Sequence, residues 1–326
     1  MKLGKLTTEE LQRNVMDLIG RRRPEVLMSA ALGEDCAAID FDDTVLVSSD
    51  PITAVVELEK IGALCVSVCC NDVAANGGIP VAVTLTLIMP PECGAEDVGV
   101  IMRGAEARAK QLNVDIVGGH TEFSDCVVRP VVSGTALGKV KRLIRKSGLA
   151  AGDELFVTKQ LGLEGTCILA DIVKPELTVS EREKLESFNA SLDVTAESLA
   201  LSGLSCVTMM HDVTEGGILG AVKEVCLAAG LGAELYEELM PIDKLTLRLC
   251  RDAGVDPLRL ISSGSMLAAV RGSADVAVRA LKDKGIAFTR IGSVVSGSVT
   301  LNRRGGVREN IDVLPDELYK FSGENK

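Results

Sequence analysis

Tryptophan is missing from this chain of 326 residues, which has only 2 Tyr and 6 Phe. Its cores must therefore be built from Ala, Val, Leu and Ile. With hydrophobic residues at 47%, burying them is no difficulty. Positive charge is outnumbered: 35 Lys and Arg against 46 Asp and Glu leave a formal charge of −11. That argues against a nucleic-acid partner, because phosphate backbones need a basic face. No Lys/Arg stripe with interleaved aromatics is present. The two short basic clusters, Arg21-Arg22-Arg23 and Lys139 to Lys146, read as solvated surface. The 10 Cys contain no Cys-x-x-Cys and no neighbouring Cys/His pair, so a zinc or iron–sulfur site is not expected. Cys65 and Cys69, one helical turn apart, read as core. An apolar signal region and an apolar run of membrane length are both lacking, which predicts a cytoplasmic protein with reduced thiols and no membrane association.

Glycine, by contrast, is abundant, with 32 residues. The most informative stretch is His211-Asp212-Val213-Thr214-Glu215-Gly216-Gly217, followed by an apolar-periodic helix over 218–229. Glycine lets a backbone approach a ligand with no side chain in the way. A helix that starts there offers unpaired N–H groups to an anion, phosphate above all. Carboxylates beside it would repel phosphate directly, but they can hold a divalent cation that holds phosphate. The segment reads as a metal–phosphate corner or, alternatively, as an Asp N-cap on an ordinary helix. A similar segment lies in the first half. There the short strand Val114-Asp115-Ile116-Val117 runs into a Gly118-Gly119 turn bearing His120, Thr121 and Glu122, at a strand's C-terminal edge.

Periodicity and turn chemistry organise the rest. A capping box from Thr7 to Glu10 predicts a helix to Ile19. Strands follow over 33–39 and 44–49, turning at Asp42-Asp43 and closing at Asp50-Pro51. A helix over 57–75 ends at Asn76-Gly77-Gly78 and carries Asn71 and Asp72 in its last turns. An acidic residue there opposes the helix dipole, which suggests a compensating ligand or cation. A strand over 81–89, a helix over 95–112 and a strand over 127–138 complete the first domain, 1–148. The polar stretch from Ser147 to Asp153 is the expected boundary with the second, 149–326. That domain should hold a strand over 154–158, a helix to Val173, a second capping box from Ser180 to Glu183, and strands at 207–210, 260–270 and 285–301.

Taken together, several segments resemble the aminoimidazole ribonucleotide (AIR) synthase superfamily in their order. They are Gly33-Glu34-Asp35-Cys36-Ala37, Ser49-Asp50, Asn71-Asp72 through Pro80, Gly118-Gly119-His120-Thr121, Gly152-Asp153 and Asp212 through Gly217. That superfamily includes AIR synthase, the hydrogenase maturation protein HypE, thiamine-monophosphate kinase and selenophosphate synthetase. Met209 to Gly217 and Ile261 to Ala268 look HypE-like. The resemblance implies two α/β (α+β) domains, the N-terminal one pairing strands across a homodimer. It further implies an ATP-Mg²⁺ site. Asp35, Asp50, Asp72 and Asp212 match metal-holding or cleft-facing acidic positions, Asn71 a polar neighbour, and Gly118, Gly119 and Thr121 the turn at the phosphates. Gly216 and Gly217 match the glycines beside Asp212, and Asp72, Asp212 and His120 are the candidate catalytic residues. The physical reading agrees, since an acidic protein can approach triphosphate only through cations.

The departures from the family pattern are specific. HypE relatives end in a Cys that bears a carbamoyl group, whereas this sequence ends Phe321-Ser322-Gly323-Glu324-Asn325-Lys326 and its last Cys is Cys250. His120 stands where kinase and HypE members place Asp. Imidazole is a poor Mg²⁺ ligand, so His120 is expected to hydrogen-bond phosphate, act as an acid or base, or stabilise its turn. No Cys occurs over 1–34, which excludes the reactive residue of selenophosphate synthetase. The expected function is ATP- and Mg²⁺-dependent activation of an oxygen of a small substrate by phosphorylation. The alternative is a non-catalytic nucleotide-binding scaffold working with a maturation-protein partner.

Overall fold

A computed structural model of the protein describes residues 26–28, 33, 37–41, 43–52, 57–313 and 315–321. The expected helix over 7–19, the Arg21-Arg22-Arg23 cluster and Asp35 lie outside the described residues. The described chain forms two compact units, one containing 26–28 and 37–143, the other Gly33 and the residues from Ile144 onward.

In the N-terminal unit, six strands form one sheet in the order β1 (Val26–Met28), β2 (Ala37–Phe41), β3 (Asp43–Ile52), β6 (Val131–Val140), β4 (Gly78–Met89), β5 (Asp115–Phe123). Every pairing is antiparallel except β4 with β5. Helices α1 (Leu58–Ala75) and α2 (Ala95–Leu112) share a core with the sheet that includes Leu46, Cys65, Val83, Leu85 and Ile101. Small residues set how closely these layers approach. A Cβ at Gly134 on β6 would lie 2.8 Å from the Cys65 Sγ and 2.9 Å from the Cys69 Sγ. One at Gly104 on α2 would lie 1.9 Å from the Glu59 carbonyl oxygen, so the two helices touch backbone to backbone.

Two expectations change here. Gly118-Gly119 is no turn: β5 runs straight through it, paired with Leu85 at Gly119, after a register shift between Val83 and Thr84. Asp50-Pro51 does not close β3, which continues to Ile52 with Pro51 opposite Ser133 on β6. The described ladder to β2 ends at Val47.

The C-terminal unit has a seven-stranded sheet. Its order is β13 (Arg308–Asn310), β12 (Val299–Asn302), β9 (Gly232–Tyr236), β11 (Phe288–Val295), β7 (Glu154–Thr158), β10 (Ser265–Val270), β8 (Val207–Val213). Only β12 and β9 pair in parallel. Helices α3 (Leu163–Val173), α4 (Val179–Ala190), α5 (Thr195–Ser202), α6 (Gly217–Ala229), α7 (Lys244–Ala253) and α8 (Asp275–Lys282) complete it. One core joins the sheet to α6 through Leu155, Met209, Val213, Ile218 and Val222. A second gathers Leu169, Leu245, Leu249 and Leu260, with Leu318 and Phe321 of the C-terminal segment packed against it.

The capping box of α4 lies two residues earlier than expected: Thr178 and Glu181 exchange the bonds. Lys146 also departs from the surface reading of its cluster. It is 1% exposed and donates from Nζ to the Met210 carbonyl oxygen at 2.9 Å. The 3-10 turn over Lys146–Gly148 explains this, because it presses on β8 so tightly that a Cβ at Gly148 would lie 2.2 Å from the Thr208 carbonyl oxygen. Among the described residues no helix is long and apolar enough to cross a membrane.

Candidate functional site

In the N-terminal unit the candidate residues lie on two features of one sheet, on β3 and on β5, with β6 and β4 between them. The first is the contact of β3 with the end of α1. Strand alternation puts Leu46, Ser48, Asp50 and Ile52 on one face. Leu46 and Ile52 are buried, so that face is the inward one. Ser48 Oγ donates to Asp72 Oδ2, and the Asp50 backbone lies against the Cys69 thiol. Cys69 and Asp72 are three residues apart on α1, hence on one helix face. The fold therefore places Asp72 and the Asp50 backbone on the same contact of β3 with α1. Asn71 is buried beside Asp72 at 1% exposure. Asp72 sits in the last turn of α1, where its own carbonyl accepts from the Asn76 N–H at 3.2 Å. The Cys69 thiol is pushed far up by a hydrogen bond with Cys65 and by burial, so this pair is core, as expected.

The second feature is the edge strand β5. Gly118, Gly119, His120 and Thr121, with Leu85, Leu87 and Met102, line an open hollow of about 240 Å³. Gly119 has φ 148°, and a Cβ there would lie 1.8 Å from the Leu85 carbonyl oxygen, so only glycine keeps this pairing. Gly118 is open, with Thr84 Cγ2 at 3.8 Å its nearest neighbour. His120 Nε2 stands 3.4 Å from Glu122 Oε2, both exposed.

In the C-terminal unit, His211 and Asp212 belong to β8 rather than to a loop. Asp212 is 2% exposed and pairs with Met266 of β10. The N-cap of α6 is Gly216 at φ 81°, so Asp212 does not cap that helix. His211 Nε2 lies 3.5 Å from Glu224 Oε2. The two glycines have protein neighbours. Gly216 donates its N–H to Asp316 Oδ2 at 2.8 Å, and a Cβ at Gly217 would lie 2.6 Å from the Leu258 carbonyl oxygen.

Three residues that matter to these sites were not legible in the sequence. Ser48 could have been found from its position two residues before Asp50 on a strand. Glu164, between two glycines at the start of α3, is 5% exposed, and its Oε2 has no hydrogen-bond partner among the described residues. Burial pushes its carboxyl up to about 7, a hydrogen bond with Ser263 opposing and the Asp316 charge adding to the push. Asp316 is likewise pushed up to about 6 by burial, against the N–H groups of Leu318 and Gly216 and with help from the Glu215 and Glu317 charges.

Among the described residues, no group of three or more His, Cys, Asp or Glu side chains could hold a metal ion unaided. Asp50 and Asp72 together offer two carboxylates. Mg²⁺ takes one or two carboxylates plus phosphate oxygens and water. The donor set fits an ion that arrives with a nucleotide, not one caged by protein.

Two α/β units, each a mainly antiparallel sheet with helices, with acidic and glycine-rich segments in both, define a class of fold, and the family comparisons agree with it. The N-terminal and C-terminal domains of AIR synthase related proteins match residues 33–140 and 150–302. The chain belongs to that family. It is 29% identical over 213 residues to a protein of Methanocaldococcus jannaschii named for hydrogenase expression/formation, covering 65% of this chain. In that protein and two further relatives the matched stretch covers 62%, 63% and 64% of their length. Thiamine-monophosphate kinase of Pyrococcus horikoshii is 25% identical over 298 residues, 89% of this chain and 91% of the kinase. The hydrogenase maturation protein HypE, solved in complex with ATP, superposes with TM-score 0.75 at 19% identity over 90% of this chain and 91% of that one. HypE in complex with HypF gives 0.74 at 21%, over 86% and 93%. These structural likenesses establish the fold.

Proposed function

We propose that the protein is an ATP- and Mg²⁺-dependent enzyme that activates an oxygen of a small substrate by phosphorylation. The observation that carries this reading is the contact of Ser48 with Asp72, where the Asp50 backbone also meets α1, in a unit whose strand β5 bears Gly118 and Thr121 at an open hollow. The kinase relative and the ATP complex of HypE support it. Mg²⁺, when bound by Asp50 and Asp72, would neutralise charge on the phosphates. Asp35 joins that set on the family resemblance. The chain's own residues position and exclude: Gly118 leaves room for phosphate oxygens, Gly119 keeps β5 tight against β4, and the Thr121 hydroxyl and His120 imidazole can donate to phosphate. Asn71 backs Asp72. Asp212 is assigned to the acceptor side on the family resemblance, and Gly216 and Gly217, whose neighbours are protein, shape the turn after it. Positioning and charge neutralisation carry most of phosphoryl transfer.

The edge position of β5, with Val117 at 60% and Phe123 at 48% exposure, supports a homodimer formed through this unit. A thermal-shift panel of nucleotides with and without Mg²⁺ tests binding, since a ligand of the native state raises its melting temperature. Turnover is tested by ADP release. Asp72→Asn should lower it about 100-fold or more at unchanged fold. A melting temperature unmoved by Mg-ATP would end the proposal.

One observation favours a second reading, a nucleotide-binding scaffold that works with a maturation-protein partner. Cys250 is 1% exposed, and burial, with the charges of Asp256 and Glu317, pushes its thiol up to about 12. It cannot serve as a carrier thiol. This reading expects Mg-ATP binding without turnover, and association with HypF-like protein in a pull-down.

A further inference from the structure

The turn Thr214–Gly216, between the strand that carries Asp212 and helix α6, does not hold itself. Its two closing glycines are both left-handed, at φ 81° and 61°, and its one internal bond is Gly217 N–H to the Thr214 carbonyl at 3.1 Å. Groups from outside the turn hold it. Ser262 donates its N–H to the Thr214 carbonyl at 3.3 Å. From the C-terminal segment, Asp316 accepts the Gly216 N–H at 2.8 Å with Oδ2 and the Leu318 N–H at 3.0 Å with Oδ1. Asp316 is only 4% exposed, so a charge-capable group has been buried to make these bonds.

The segment that delivers it is anchored both on a separate core and on the turn itself. Leu318 and Phe321 pack on the core of Leu169, Leu245, Leu249 and Leu260. Glu317 accepts the Asp256 N–H at 3.1 Å, and the Tyr319 hydroxyl donates to Glu215. The end of α6 thus already holds a carboxylate from the protein itself, at the place where a ligand phosphate would otherwise sit.

We propose that Asp316 is a positioning residue: by holding the Gly216 N–H it fixes the turn after Asp212, and with it the setting of the Asp212 carboxylate. The proposal rests on the functional reading above in assigning Asp212 to the acceptor side. It is tested on the full chain by hydrogen–deuterium exchange over 213–219, together with Mg-ATP turnover. Asp316→Ala should raise exchange at Gly216 and Gly217 by about tenfold or more. It should lower kcat by about tenfold and leave KM for Mg-ATP within about twofold, because nucleotide contacts are assigned to the other unit. Asp316→Asn keeps one acceptor oxygen for two N–H groups and should fall between alanine and wild type in protection and in kcat. Leu318→Ala, which loosens the anchor without touching Asp316, should change the same quantities in the same direction and serves if the alanine variant does not fold. Unchanged exchange in the Asp316→Ala and Leu318→Ala variants overturns the proposal. Absence of turnover in the wild type would instead sink the functional reading, while the exchange comparison would still decide whether Asp316 holds the turn.

Discussion

The two glycine pairs, Gly118-Gly119 and Gly216-Gly217, look alike in sequence and fold to opposite ends. Gly118 faces open space on an exposed edge strand. Gly217 faces the backbone of 258–260, and Gly216 gives its N–H to an internal carboxylate. A glycine pair followed by a helix start says only that something approaches the backbone closely. In the N-terminal unit there is room for a ligand to be that something. In the C-terminal unit the approaching group is protein.

The largest test of this contrast is a pair of alanine substitutions. At Gly217, alanine must adopt φ 61° with its Cβ 2.6 Å from one carbonyl oxygen and 2.8 Å from the Leu260 carbonyl oxygen. Strain and overpacking together should lower stability by about 3 kcal/mol in denaturant titration. At Gly118 the nearest atom is at 3.8 Å, so alanine should stay within about 0.5 kcal/mol of wild type while weakening Mg-ATP binding. Equal stability losses at the two sites would erase the distinction.

A second test uses the buried acids of the C-terminal unit. Glu164 is raised from 4.5 to about 7 and Asp316 from 3.8 to about 6. The folded chain holds these protons more tightly than the unfolded one, so both groups favour folding most below their unfolded values. That contribution is lost as pH rises, through about 6 for Asp316 and about 7 for Glu164. Glutamine at 164 cannot ionise. Glu164→Gln should therefore be more stable than wild type at pH 8, by on the order of 2 kcal/mol, and lose that advantage by about pH 4. A variant less stable than wild type at pH 8 would mean that the ionised form has a partner.

Much of the architecture was legible in the sequence because it is locally encoded. The helix over 95–112 and the strand over 154–158 follow from apolar periodicity bounded by glycine, proline or polar residues, whereas the helix ending at Val173 starts at Leu163, inside a stretch, 161–165, that reads as a glycine-bearing loop. What periodicity does not encode is what lies opposite a residue. β5 continues through Gly118-Gly119 because β4 lies beside it and accepts a register shift, a tertiary fact absent from the local string. The burial of Lys146 follows from a turn pressed on a strand some sixty residues away, and Asp316 reaches Gly216 across a separation of 100 residues. The acidic positions were found one by one, but the sequence could not divide them. Asp50 and Asp72 lie in one unit, Asp72 bonded to Ser48 of the strand that carries Asp50, while Asp212 belongs to the other.

The smallest expected effect is at His120, and it sharpens the contrast from the open side. His120 and Glu122 alternate onto the same face of β5, 3.4 Å apart, with side chains 66% and 51% exposed. An exposed pair of this kind is screened by water and salt, and contributes little to folding. His120→Gln should change stability by no more than about 0.5 kcal/mol. If the edge of β5 receives phosphate, the same variant should still weaken Mg-ATP binding or turnover, because a donor beside the hollow has changed. A measurable stability loss with unchanged binding would make His120 a structural residue of its strand and move the ligand away from this edge.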